Sequence, residues 1–166
     1  MQERGCGMRS ACNVGDVGSA DNRKARLLIV EDETLIATYL SELLGFLGCD
    51  VCARATSGLA ALKAAERDRP DLAIVDIGLP GGMDGVNTAY LLRRQFDIPS
   101  IFLSGASNTA LLARARMVQA PAFIEKPFTL DDVERAIKAA LPRRPDGRLE
   151  SGIPGGAAKG SADPKR

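Results

Sequence analysis

From Arg26 to Leu141 the chain alternates five times between a short, almost uniformly apolar run and a longer stretch whose apolar residues return every three or four positions. No other feature restricts the fold as strongly. The apolar runs are RLLIVE (26–31), DVCARA (50–55), DLAIVD (71–76), SIFLS (100–104) and AFIE (122–125). Runs this short and this apolar suit strands covered on both faces, because a half-exposed strand would alternate polar with apolar. The intervening stretches read as helices over about 34–47, 57–68, 85–94, 108–117 and 129–141. In the first of these Ile36, Leu40, Leu43 and Leu47 share one face. Ser57 is placed to cap the second helix, and Thr129 with Asp132 makes a capping-box-like start for the last. Five strands alternating with five helices predict an α/β protein: a doubly wound five-stranded parallel sheet with helices on both faces.

The flanks differ in composition. Residues 1–24 are rich in Gly, Ser, Asn and Asp without periodicity, and residues 142–166 carry four prolines and a Gly155-Gly156 pair. Both are expected to be disordered tails around one domain at 25–141. That domain holds 12 Lys/Arg against 15 Asp/Glu, whereas the C-terminal tail holds 6 against 3. A mildly acidic domain with a short basic tail has no electrostatic footprint for nucleic acid. No apolar run approaches the roughly 20 residues of a membrane span, and no signal-peptide core is present, so a cytoplasmic protein is expected. Cys49-x-x-Cys52 has the spacing of a redox or zinc half-site, but the chain contains no histidine and no second pair of ligands. Reduced, structural thiols are expected.

In an open parallel sheet, ligands bind beyond the carboxyl ends of the strands. The residues there are Glu31 and Asp32 after the first strand, Asp76 after the third, Ser104 after the fourth and Lys126 after the fifth. Singly, each has an ordinary explanation: acids at a helix N-terminus are favoured by the dipole, and a strand-end Asp commonly forms a turn. Together they bring three carboxylates, a hydroxyl and an ammonium to one edge. Such an oxygen set suits a hard cation such as magnesium.

The region 25–141 resembles the receiver domain of bacterial two-component response regulators. The resemblance lies in Glu31-Asp32, in Asp76 within IVDIGLPGGMDG, in Ser104-Gly105-Ala106 and in FIEKPF with Lys126-Pro127. The intervals of 44 residues from Asp32 to Asp76 and 22 from Ser104 to Lys126 are also those of the family. It implies a flavodoxin-like strand order 2-1-3-4-5. It further implies that Asp76 accepts a phosphoryl group from the phosphohistidine of a histidine kinase, a hybrid kinase or a phosphotransfer protein. Magnesium would be held by Asp32, Asp76 and the Gly78 carbonyl, with Glu31 acting through water. Lys126 would pair with Asp76 and then with the phosphoryl, Ser104 would hydrogen-bond a phosphoryl oxygen, and Lys126-Pro127 would be cis. Movement of Ser104 and inward rotation of Phe123 would remodel the face made by the fourth helix, fifth strand and fifth helix. Phe123 also reads simply as a core aromatic.

The implied protein is a stand-alone phosphoacceptor, not an enzyme with its own output domain. It would address an unknown downstream protein or pass its phosphoryl onward, with phosphorylation-dependent homodimerisation left open. Gly78, two residues past Asp76, leaves the phosphoryl open to water, so a short-lived phosphoform is expected. Gln119 and Ala122 stand where the family usually has glycine, with Pro121 between them, which predicts a distorted or shortened fourth helix. A magnesium-dependent aspartyl-phosphate hydrolase is the enzymatic alternative, but it needs Asp-x-Asp where this chain has Glu31-Asp32-Glu33. A flavodoxin-like cofactor carrier is disfavoured, because acids after the first strand would repel a phosphate.

Overall fold

A computed structural model describes residues 23–105, 109–117 and 120–141. The order of elements is β1 (Arg26–Val30), α1 (Thr34–Phe46), β2 (Asp50–Ala55), α2 (Gly58–Asp68), β3 (Leu72–Asp76), α3 (Gly85–Phe96), β4 (Ser100–Ser104), α4 (Thr109–Met117), β5 (Phe123–Glu125) and α5 (Leu130–Ala140). The strands form one parallel sheet in the order β2-β1-β3-β4-β5. The expected architecture and strand order are those observed; element ends move by one or two residues.

The apolar runs are apolar throughout because both faces of the central strands are covered. Leu27 and Ile29 pack with Leu72, Ile74, Ile101 and Leu103 beneath α1 and α5. Leu28, Val30, Ala73, Val75 and Phe102 face the other way, toward α2 and α3. Leu27 to Val30 and Leu72 to Val75 have no solvent exposure. Each such leucine, isoleucine or valine contributes roughly 1.5–3 kcal/mol relative to leaving it in water. The two layers lock the strand register, since a one-residue slip would exchange both faces at once.

Local signals set the helix ends. Ser57 accepts a hydrogen bond from the Ala60 amide, and Asp84 accepts one from the Asn87 amide at 2.8 Å. Thr129 and Asp132 form the reciprocal capping box of α5. The α2 and α3 helices end on Arg69 and Asp97, both non-glycine residues in the left-handed region, with φ of 48° and 57°. The described part of the α4 helix has nine residues, and its expected shortening turns on the residues that follow Met117. Residues 118 and 119, including Gln119, lie outside the described residues. So do 1–22 and 142–166, most of the two expected tails. Arg23, which the sequence placed in the N-terminal tail, is tied to Asp71 by an ion pair of 3.0 Å.

One close approach positions the site. A Cβ on Gly85 would lie 1.9 Å from the backbone oxygen of Asp76. The first turn of α3 therefore rests directly on the backbone of that residue, which only glycine permits.

Candidate functional site

The carboxyl ends of the strands deliver Glu31, Asp76, Ser104 and Lys126 to one edge, and each is placed by an extension of the sheet. The Glu31 amide donates to the Ala55 carbonyl at 3.0 Å, continuing the β1–β2 ladder. The Ile77 amide donates to Leu103 at 3.0 Å and the Lys126 amide to Ser104 at 2.8 Å, continuing β3–β4 and β4–β5. These side chains are thus fixed by the sheet backbone, not by loops.

Glu31, Asp32 and Asp76 each offer a carboxylate oxygen, and these oxygens lie within 4.8 Å of one another. Glu31 and Asp76 are buried, while Asp32 is exposed. The Lys126 ammonium donates to Glu31 Oε2 at 2.7 Å and to Asp76 Oδ2 at 2.9 Å. The Asp76 Oδ1 atom accepts the Gly78 amide at 2.9 Å, and Glu31 Oε1 accepts the Glu33 amide at 3.2 Å. Two of the three acids therefore meet a cation of the protein's own. Lys126 was expected opposite Asp76, but its bond to Glu31 was not foreseen, since only the tertiary fold brings positions 31 and 126 together.

Electrostatics follow from this geometry. Burial pushes the Glu31 carboxyl up, the Lys126 hydrogen bond pulls it back and the Asp76 charge pushes it up again; the net direction is upward. Burial pulls Lys126 down, but its hydrogen bonds to Asp76 and Glu31, with their charges, outweigh this and raise it above the ordinary lysine value. Lys126 is thus held as an ammonium between two acids. Three oxygen donors, one of them open to water, fit a small divalent cation, which keeps part of its water shell and needs only one or two protein carboxylates.

Ser104 is buried, its hydroxyl directed to the Gly105 carbonyl at 3.4 Å. The Phe123 ring is 38% exposed and lies tilted against the fully buried Phe102, ring centroids 5.6 Å apart. It is therefore only half a core residue. The Lys126-Pro127 peptide is cis, as the resemblance implied. Cys49 is buried in the core and Cys52 donates its thiol to the Leu27 carbonyl at 3.4 Å; both are free. Among the described residues, no helix is long and apolar enough to cross a membrane. Sequence reading passed over Asp84 and Gly85. Their signal was an Asp-Gly pair opening a helix, a common pattern whose contact with Asp76 appears only in three dimensions.

A 2-1-3-4-5 parallel sheet with helices on both faces defines the flavodoxin-like class of α/β proteins, here with an acid cluster and a lysine beyond its carboxyl edge. The family described as response regulator receiver domain matches residues 27–138, and this chain belongs to it. The transcriptional regulatory protein PdtaR of Mycobacterium tuberculosis is 36% identical over 118 residues, 71% of this chain and 57% of that protein. The DNA-binding response regulator MtrA of the same organism is 31% identical over 126 residues, 76% of this chain and 54% of its own length. The chain thus spans a little over half the length of these relatives. Among solved structures, the signal receiver domain of a modulated diguanylate cyclase from Desulfovibrio desulfuricans is 36% identical with a TM-score of 0.67, covering 71% of this chain and 94% of that one. The receiver domain of NtrX from Brucella abortus is 30% identical with a TM-score of 0.62, covering 69% and 97%.

Proposed function

We propose that Asp76 is a phosphoacceptor for the phosphohistidine of a histidine kinase or phosphotransfer protein, and that the chain signals by a phosphorylation-dependent change of surface. The observation that carries this reading is the Lys126 ammonium lodged between Glu31 and Asp76, within a cluster of three acids. A carboxylate can attack a negatively charged phosphoryl group only if the charge on both is offset, and phosphoryl transfer is largely a matter of positioning and charge neutralisation. An oxygen of Asp76 forms a bond to phosphorus as the phosphorus–nitrogen bond of the donor breaks, and the imidazole leaves and takes a proton from water. Lys126 is already within hydrogen-bond reach of Asp76 and would follow the charge onto a phosphoryl oxygen. The Gly78 amide holds the other carboxylate oxygen and so orients the attacking one.

Asp32, Asp76 and the Gly78 carbonyl would hold magnesium, with Glu31 acting through water. The ion would supply the remaining positive charge opposite the transferred oxygens. Ser104, buried one strand away, would turn its hydroxyl from Gly105 to a phosphoryl oxygen, and Phe123 would rotate inward over the space this leaves. That would remodel the face formed by α4, β5 and α5 for a downstream protein or a second copy of the chain. Hydrolysis by water reaching past Gly78 would end the signal.

The test is intact mass after incubation with magnesium and phosphoramidate. The expected result is gain of one phosphoryl group, abolished by Asp76→Asn and by chelator. Gain of the same mass by the Asp76→Asn variant would refute the assignment.

A further inference from the structure

We propose that Arg114 is a positioning residue that clamps α4 to the loop bearing the phosphoacceptor, through Asp84. The inference rests on Asp76 being the acceptor. One guanidinium nitrogen of Arg114 lies 2.8 Å from Asp84 Oδ2, and the other donates to Asn87 Oδ1 at 3.2 Å. These contacts span 30 and 27 residues of sequence. Asp84 uses both of its oxygens: Oδ1 caps α3 on the Asn87 amide, and Oδ2 takes Arg114. The next residue, Gly85, lies against the Asp76 carbonyl and donates its amide to Ile77 at 3.3 Å. Arg114 is therefore two short steps from the acceptor's own backbone, by way of Asp84 and Gly85.

The placement of α4 makes this tie consequential. Of the α4 side chains described, at 110 and 113–117, only Ala115 is buried. It enters the layer that holds Val75 and Ile77. Among the described residues the main neighbour of α4 is α3. A small apolar anchor leaves a larger share of the helix's position to the polar tie. The chain before α4 leads back to Ser104, and the chain after it leads to Phe123 and Lys126. With the Arg114–Asp84 pair, α4 is tied to the turn that follows β3 as well as following β4 in the chain. An element bound to the acceptor loop in the unmodified protein opposes any rearrangement of that loop. By linkage, releasing it favours phosphoryl capture.

The clamp is tested in the full chain with Arg114→Ala, Asp84→Asn and the double variant. Asn caps a helix as well as Asp does, so Asp84→Asn removes the ion pair and leaves α3 capped. A half-exposed pair of this kind shifts an equilibrium by about two- to fivefold. Each single variant is therefore expected to speed amide hydrogen exchange across residues 77–87 and phosphoryl uptake from phosphoramidate by about that factor. The double variant should go no further than Arg114→Ala, since that change already removes the Asp84 pair along with the Asn87 bond. If the wild-type protein takes up phosphoryl, wild-type rates in either measurement, or additive effects, overturn the clamp. If it takes up none, the phosphoacceptor reading fails and hydrogen exchange alone judges the clamp, unchanged exchange refuting it.

Discussion

Three glycines lie in or open helices and face different surroundings, so alanine at each gives a graded test of the packing around the acceptor. At Gly85 the three atoms nearest an added Cβ are all backbone: the Asp76 oxygen at 1.9 Å, the Asp76 carbonyl carbon at 2.7 Å and the Ile77 Cα at 2.8 Å. Real Cβ contacts do not fall below 3.0 Å, so α3 must withdraw by roughly 1 Å from a strand it cannot displace. Overpacking of this kind costs about 1–3 kcal/mol, and with no flexible side chain to yield we expect the upper end, about 3 kcal/mol. At Gly58 the intruding methyl meets Thr88 Oγ1 at 2.3 Å and Met83 Sδ at 2.7 Å. Met83 can swing away, and the Thr88 hydroxyl gives up a 2.8 Å bond to the Asp84 carbonyl, so the expected loss is about 1 kcal/mol. At Gly45, inside α1, nothing lies within 4 Å, and alanine should add about 0.5–1 kcal/mol through lower chain entropy and higher helix propensity. Urea denaturation followed by circular dichroism measures all three. The reasoning fails if Gly85→Ala lies within about 0.5 kcal/mol of wild type, or if Gly45→Ala destabilises by more than that.

Replacing Lys126 by Met leaves Glu31 and Asp76 facing each other without a counter-charge, and should cost about 3 kcal/mol at pH 7 in chelator. Added magnesium should recover part of that loss, and an equal loss with and without the ion would argue against a shared cation site. Arg69→Gly removes the cost of holding a side chain at φ 48° and should raise stability by up to about 1 kcal/mol, measured in the same urea titration. Burial pushes the Cys49 thiol from 9.0 up to about 11. Its contribution is thus fully present below pH 9 and lost as pH rises through about 11, which amounts to about 2–3 kcal/mol. The difference between wild type and Cys49→Ala should therefore shrink between pH 9 and 11, and a constant difference would refute the burial argument.

The sequence by itself determined the α/β class, the number and sequence of elements, and the acids, hydroxyl and lysine at the sheet's carboxyl edge. These were legible because the central runs are short and covered on both faces, and four of the five runs lead into a residue whose charge or hydroxyl no core would accept without a partner. Capping at Ser57 and Thr129 was legible for the same local reason, since a cap and its helix lie within three residues of each other.

Only the tertiary structure decided that Lys126 reaches Glu31 across 95 residues as well as Asp76 across 50. It also decided that Gly85 must be small because Asp76 lies beneath it, and that Arg114 joins α4 to the turn at Asp84. A pattern in the chain records what a residue needs, such as burial, a partner or a bare backbone. Which distant residue meets that need depends on how the strands are ordered and the helices laid over them, and this is fixed only when the whole core packs at once.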